Sequence, residues 1–147
     1  MNLQQIEKDL KRHAKRNWAD LDFDFEYDDD ALNVYVGPLQ ITANNTDYNF
    51  TFLMCFAENL PIVMVKAIFE DTFDRTEDAM EALNTFNFDS ILTAAVSSDD
   101  DLFLNYTFYV VDEDDVPAPL LLDAFINDFL MDDVVQESLE PVLAYLY

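Results

Sequence analysis

The sequence is poor in the residues that build most catalytic and cofactor sites. Its 147 residues include one glycine, one cysteine and one histidine, which are Gly37, Cys55 and His13. A single glycine excludes glycine-rich phosphate-binding loops, and a single cysteine excludes a disulfide framework and a cysteine-based zinc site. The motifs of serine hydrolases, nucleotide-binding proteins and zinc proteases do not occur either. We therefore expect no catalytic, metal-binding or cofactor-binding residues, and a protein that is not an enzyme.

Positively charged residues are scarce and unevenly placed. Seven Lys and Arg residues oppose 31 Asp and Glu residues, so the formal net charge is −24. Five of the seven cations lie within residues 1–16 beside only two acids, and the rest of the chain holds Lys66 and Arg75 against all the other acids. Such a negative field repels nucleic-acid phosphates and anionic lipids and attracts cationic molecules. We expect a partner protein, with a basic partner favoured, and binding to neither nucleic acid nor membranes.

Long apolar runs are missing as well. The longest, residues 60–69, contains Lys66 and is too short to span a bilayer. The first residues lack the apolar run and the cleavage site of a signal peptide, and a lone cysteine suits a reducing compartment, so we expect a cytoplasmic protein. Because 51% of the residues are hydrophobic and 14% aromatic, we expect one folded domain over residues 1–147 rather than disorder.

The spacing of apolar residues predicts an α+β fold. Spacings of three and four residues predict a basic helix over residues 1–18 and a second helix that begins at Asp74, with Glu77 completing a capping box. Alternation of apolar with polar residues predicts strands, and short turns between them favour an antiparallel sheet. The predicted strands are residues 21–27, 32–43 with a break at Gly37-Pro38, 50–56, 62–69, 91–96 and 102–111.

The last part of the chain predicts one long helix. Pro117 and Pro119 suit its entrance, and apolar residues recur at helical spacing from Leu121 onward. We expect Pro141 to kink this helix or to restart it, with Ser138 as the new cap. The predicted order is helix, three or four strands, helix, two strands and long helix.

The residues with reactive side chains have ordinary structural explanations. His13 lies among cations on the first helix, so we expect an exposed helical residue rather than a general base. Cys55 lies on an apolar strand, so we expect a buried structural cysteine. The acidic runs 28–30, 99–101 and 112–115 lack the spacing of a calcium-binding loop, so we expect solvated turns.

Apolar side chains occupy both faces of the predicted strands. In residues 102–111, Phe103, Tyr109 and Val111 alternate with a second apolar set. Helices on one side of the sheet cover only one of these two sets. Two alternatives remain open: the chain's own helices, the basic first helix among them, cover both faces, or a second polypeptide covers one of them.

The second half of the chain carries a combination of motifs found together in a known family. Asn84 and Asn87 stand in an LN..N pattern on the second predicted helix, which precedes an acid-tipped hairpin and a helix with Phe125 and Phe129. Over about residues 79–130 this combination resembles the YbjN-type bacterial sensory-transduction regulators. The order of elements resembles the secretion-chaperone-like fold, which those regulators share with type III secretion chaperones. The extreme acidity and Pro141 depart from the family pattern.

The resemblance implies a small cytoplasmic homodimer without enzymatic activity that grips non-globular segments of partner proteins. In such proteins the second helix and the following hairpin often form the dimer interface. The matching positions here are Met80, Leu83, Phe86, Phe103 and Tyr109. The resemblance also implies a partner groove along the early strands and the first helix, at Leu3, Ile6 and Leu10.

We therefore expect a protein-binding module that is chaperone-like or regulatory. Two other classes remain as alternatives. An acidic DNA mimic would present carboxylates at phosphate spacing to a nucleic-acid-binding protein. An unrecognised hydrolase would use a pair among the 31 carboxylates as acid and base.

Overall fold

The computed structural model describes residues 1–130 and 132–147. Over these residues it contains four α-helices, one π-helical segment and six strands, which confirms the predicted α+β class and the predicted order of elements. Along the chain, the elements are α1 (Leu3–Asn17), β1 (Asp22–Asp28), β2 (Ala31–Ala43), β3 (Thr46–Ala57), β4 (Ile62–Thr72), α2 (Glu77–Asp89), β5 (Thr93–Val96), β6 (Asp101–Tyr109), α3 (Ala118–Asp123), the π-helical segment (Ala124–Leu130) and α4 (Asp133–Leu143).

The six strands form one antiparallel sheet in the order β1-β2-β3-β4-β6-β5. Asn44 and Asn45 close the β2–β3 hairpin with φ angles of 55° and 60°. Asn and Asp tolerate this left-handed conformation because their short polar side chains bond to the local backbone. Asp29 and Asp100 adopt the same conformation, so two of the acidic runs contain turns, as the sequence predicts.

The predicted break at Gly37-Pro38 does not end a strand. The register passes from the pair Val36–Phe52 to the pair Leu39–Phe50, so two residues of β2 lie opposite one residue of β3. Proline cannot donate to a strand ladder, and such a bulge leaves the extra residue unpaired. Strand β2 therefore continues through the bulge to Ala43.

The hydrophobic core lies between one face of the sheet and the helices. Phe50 and Phe52 of β3 point to this face and are at most 1% exposed. The Phe52 ring stacks on Phe125 of the π-helical segment, with 5.0 Å between centroids. Leu10 of α1 and Phe86 of α2 belong to the same buried cluster. We call this the inner face of the sheet.

The C-terminal residues are tied to the end of β4. Thr72 donates its backbone N–H to the Tyr147 carbonyl at 3.0 Å, and Tyr147 donates its N–H to the Thr72 carbonyl at 2.9 Å. Next to this pair, Phe73 and Leu146 form an antiparallel bridge, and both residues are buried. This pairing holds the segment that follows α4 against the sheet.

Two predictions about helix ends are wrong. Helix α2 is capped by Thr76, whose side chain accepts the Ala79 N–H at 3.1 Å, and not by Asp74. The predicted long helix is three pieces, and the last restarts at Asp132, which accepts the N–H groups of Val134 and Val135.

The predicted restart at Ser138 and Pro141 does not occur. Ser138 donates its hydroxyl to the Val134 carbonyl at 3.0 Å within α4, so it is not a cap. Pro141 lies inside α4, close to its C-terminal end. A proline there removes one helical hydrogen bond, and the aspartate cap at the other end secures the start of the helix.

Phe129 is part of the pattern that resembles the YbjN-type regulators. Its side chain lies outside the described part of the structure.

Candidate functional site

Helix α1 docks on the body of the protein through its apolar stripe. Ile6, Leu10 and Ala14 are buried, and the Lys and Arg residues of the helix are exposed. Among the described residues the only ion pair of these cations is between Lys11 and Glu7, at 3.4 Å. Apolar packing thus holds this side of the helix, and most of its positive charge is not neutralised by ion pairs.

An aromatic groove lies where α1 crosses the first strand. It has a volume of about 500 Å³. The Lys11 Nζ atom lies 5.1 Å from the centroid of the Phe25 ring, within the range of a cation–π contact. The groove walls are apolar or positively charged, apart from Asp22. The residues that line it are Lys11, Ala14, Lys15, Trp18, Ala19, Leu21, Asp22, Phe23 and Phe25. We call it the edge groove.

Strand β1 is an edge strand whose two faces differ in chemistry. It is paired with β2 on one side, and within the described chain no strand pairs with its other side. Phe23 and Phe25 point toward α1 and line the edge groove. The alternate residues are all exposed acids, which we call the acid row: Asp22, Asp24, Glu26 and Asp28.

The sheet face opposite the core carries a second apolar surface. The described helices contribute their buried residues to the inner face, so this outer face has no helical cover in the described part of the chain. Its apolar residues are half-buried or exposed, and Tyr109 is 81% exposed. They are Tyr35, Leu53, Cys55, Ile62, Met64, Ile68, Phe103 and Tyr109. The first alternative from the sequence, in which the chain's own helices cover both faces of the sheet, is therefore not observed in the described part of the chain.

His13 differs from the prediction of an exposed residue. Its side chain is 18% exposed, and its Nε2 atom lies 2.9 Å from the Asp123 Oδ1 atom. The same oxygen accepts the Trp18 Nε1–H at 2.9 Å. The sequence does not reveal this cluster because Asp123 lies 110 residues away.

The histidine–aspartate pair lacks the geometry of a general base. The other ring nitrogen of His13, Nδ1, lies 3.0 Å from the side-chain nitrogen of Asn17 on the same helix. A general base needs a nitrogen that faces the group it deprotonates, and this one faces its own helix. The arrangement ties α1 to α3 by hydrogen bonds.

Cys55 is half-buried on the outer face rather than buried in the core, which corrects the prediction. Burial raises the pKa of its thiol, the nearby Lys66 lowers it, and Asp28 raises it further, with a net shift upward. A nucleophilic cysteine requires the opposite shift, since the thiolate is the reactive form. Cys55 is thus a poor candidate for a nucleophile.

The acidic runs do not converge on a cation site. Within residues 1–130 and 132–147, no group of three or more His, Cys, Asp or Glu side chains is arranged to hold a metal ion. Arg75 instead binds the hairpin between β5 and β6, through Asp100 at 2.5 Å and the Ser97 carbonyl. The carboxylates mostly project separately into solvent.

The predicted dimer-interface residues do not share one surface. Leu83 and Phe86 of α2 are buried in the core on the inner side, whereas Phe103 and Tyr109 lie on the outer face. Met80 is on the exposed side of α2. Packing of α2 under the sheet accounts for this separation.

The predicted groove residues on α1 are largely covered. Ile6 and Leu10 are 4% and 0% exposed and belong to the core, and Leu3 is half-buried beside it. The structure offers Trp18, Phe23 and Phe25 as groove residues instead. The alternation of acid and aromatic residues in β1 was the available signal for that surface.

Comparisons with known proteins leave the family open. Neither a scan against models of protein families nor a search of curated proteins finds a match for this chain. The resemblance to the YbjN-type regulators therefore stays a prediction. Among the described helices, none combines the length and the apolar composition needed to cross a bilayer.

Proposed function

We propose that this chain is a non-enzymatic protein-binding module, chaperone-like or regulatory, that holds an extended segment of a partner protein along β1. The observation that carries the proposal is the position of β1, a free sheet edge between an aromatic groove and a row of carboxylates. The free thiol of Cys55 supports a cytoplasmic location for this activity.

The free edge supplies the backbone contacts. Strand β1 has seven residues, and an edge strand presents unpaired N–H and C=O groups to any extended chain beside it. Peptide recognition by strand addition uses these groups for affinity and the alternating side chains for specificity. A partner segment of similar length would become the seventh strand of the sheet.

The two sides of β1 define the chemistry of the partner. Side chains on the outer side of an added strand lie beside the acid row, which favours Lys or Arg at every second position. Side chains on the inner side face Phe23, Phe25 and Trp18 in the edge groove, which favours apolar residues. The net charge of −24 increases the rate at which such a basic segment arrives.

The acid row has a second physical explanation, which the experiment must separate. Charged residues on an edge strand prevent two copies from pairing edge to edge, since like charges would then lie opposite each other. Edge protection alone predicts that any basic peptide is attracted by charge only, with no dependence on the order of its residues. Strand addition predicts binding that depends on the order of residues in the ligand.

The test uses two synthetic peptides of seven residues. One alternates Lys with Val, and the control has the same composition with the lysines and valines in separate blocks. We expect isothermal titration calorimetry to detect the alternating peptide and to show binding at least about tenfold weaker for the blocked one, because only alternation places charges and apolar groups on opposite sides. Amide exchange should slow in β1.

A matched pair of variants tests the acid row. The double variant Asp22→Lys and Glu26→Lys reverses two charges beside the added strand, and Glu81→Lys with Asp89→Lys makes the same net-charge change on α2. The variant on β1 should bind the alternating peptide roughly tenfold more weakly, because each opposite-charge pair on a sheet contributes up to about 1 kcal/mol. The variant on α2 should change the affinity far less. Equal affinities for the two peptides, or equal losses in the two variants, would refute strand addition.

A further inference from the structure

Helix α1 carries a concentrated positive charge in a very acidic protein. Five of the seven Lys and Arg residues of the chain lie on it, and their exposed side chains line a hollow of about 430 Å³. They recur at spacings of three and four residues, which places them along one side of the helix, about 12 Å from first to last. We call them the basic stripe: Lys8, Lys11, Arg12, Lys15 and Arg16.

The fold leaves most of this charge unused. Within the described residues the basic stripe makes one ion pair, between Lys11 and Glu7, and its other four members make none. The negative C-terminal end of a helix attracts cations, which accounts for the two members in the last turn of α1. That effect fades beyond one turn, so it does not account for Lys8 and Arg12. The basic stripe therefore needs another explanation.

We propose that the basic stripe binds a short acidic segment of a partner protein. Arg and Lys donate charge-assisted hydrogen bonds to carboxylates, and Arg can donate two parallel ones to a single carboxylate. Lys8, Arg12 and Arg16 follow each other every four residues, which is about 6 Å along the helix. Side chains on one side of an extended chain recur about every 6.6 Å. Acids at every second position of such a chain thus meet these three cations in turn.

The surroundings of the basic stripe favour a short ligand. Asp20 and Asp22 follow shortly after the C-terminal end of α1, and the chain beyond residue 16 holds all but two of the acids. A nucleic-acid strand carries a phosphate at every nucleotide and meets this negative charge wherever it extends past the stripe. A second copy of the chain brings a net charge of −24. About five extended residues span about 13 Å, so a short acidic segment keeps its charge within the stripe.

This surface is distinct from the one along β1 and selects the opposite charge. The acid row favours a basic segment, whereas the basic stripe favours an acidic one. The two do not cancel in solution because the Debye length is about 10 Å at 0.1 M salt. An acidic ligand in contact with the stripe is then attracted by the nearby cations and screened from most of the acidic body.

The first test compares three probes by fluorescence anisotropy at about 0.1 M salt. The acidic probe is a seven-residue peptide that alternates four Glu with three Ser, and its control carries Gln in place of Glu. The third probe is an eight-residue oligothymidylate. We expect the Glu peptide to bind at least about tenfold more tightly than the Gln peptide, because only carboxylates form charge-assisted hydrogen bonds with the stripe. It should also bind more tightly than the oligothymidylate.

A matched pair of variants tests the position of the site. Arg12→Gln with Arg16→Gln removes two charges from the basic stripe and should weaken binding of the Glu peptide at least about fivefold. Asn84→Glu with Ser98→Glu makes the same change in net charge at two exposed positions, on α2 and in the hairpin between β5 and β6. Because β5 and β1 are opposite edges of the sheet, this control should change the affinity by less than about twofold.

A conservative variant and the circular dichroism spectrum guard against loss of the fold. Arg12→Lys with Arg16→Lys keeps the charge and should keep most of the affinity, and all variants should give the native spectrum. Equal affinities for the Glu and Gln peptides, equal losses in the two charge variants, or tighter binding of the oligothymidylate overturns the proposal. Asp22→Lys with Glu26→Lys, which tests strand addition, should not weaken binding of the Glu peptide, so the two proposals fail independently.

Discussion

The Nε2 atom of His13 and the Nε1 atom of Trp18 both lie 2.9 Å from one carboxylate oxygen, Oδ1 of Asp123. The histidine and the tryptophan belong to the end of α1, and the aspartate ends α3. One carboxylate thereby joins two helices that are separated by a hundred residues of chain. The contact also fixes the tryptophan that lines one wall of the edge groove.

Removal of this carboxylate should destabilise the fold. In Asp123→Ala the Trp18 N–H and the imidazole lose their shared acceptor in a half-buried site, so we expect a loss of about 1–3 kcal/mol in the free energy of unfolding. Urea denaturation measures it. Asp20→Ala removes an exposed acid near the end of α1 and should change stability by less than about 0.5 kcal/mol. Equal effects of the two variants would show that the cluster is not structural.

The apolar stripe of α1 should matter far more than its cations. Leu10 is 0% exposed, and Leu10→Ala should cost about 2–5 kcal/mol, since the cavity it leaves cannot close fully. Replacement of the exposed Arg12 by Ala should cost less than about 0.5 kcal/mol. Chemical denaturation of both variants checks this, and removal of residues 1–16 should destabilise the domain at least as much as Leu10→Ala. An unchanged melting curve after that truncation would contradict the docking of α1.

Strands were predictable because their signal is local. The alternation of apolar with polar residues in β1 and β3 follows directly from the geometry of a strand, and both elements lie where the pattern predicts. The start of the last C-terminal helix was not predictable in this way, because it depends on which of two residues, Asp132 or Ser138, caps the helix. Asp132 accepts two backbone N–H groups, and Pro141 fits close to the end of α4.

The candidate surfaces were predictable only in part. Apolar residues on both faces of residues 102–111 indicate that one face needs a cover, and the structure leaves that face open. Which residues lie side by side across strands depends on register over long chain separations. Asp24, for example, pairs with Tyr35, Tyr35 with Leu53, and Leu53 with Lys66, and no local pattern in the sequence reveals that these four residues lie side by side.

Added salt should stabilise this protein. Lys11–Glu7 and Arg75–Asp100 are the two Lys or Arg ion pairs of the described residues, against 31 acids that repel one another, so screening removes more repulsion than attraction. The melting temperature should rise between about 0.01 M and 0.5 M NaCl, because the Debye length falls over this range from about 30 Å to less than about 10 Å. A melting temperature that does not change with salt would refute it.

The thiol of Cys55 should react slowly until the solution is strongly alkaline. Burial is the largest cause of its raised pKa, so the folded protein favours the neutral thiol more than the unfolded chain does. The resulting stabilisation is fully present below the ordinary thiol pKa of about 8.5 and is lost as pH rises through the higher folded value. Alkylation by iodoacetamide, followed by mass spectrometry from pH 7 to pH 10, should give a midpoint above that of the urea-unfolded chain. The control is a Cys55→Ser variant, which should stay unlabelled at every pH. A pH midpoint of alkylation in the folded protein at or below that of the unfolded chain would contradict the burial of the sulfur.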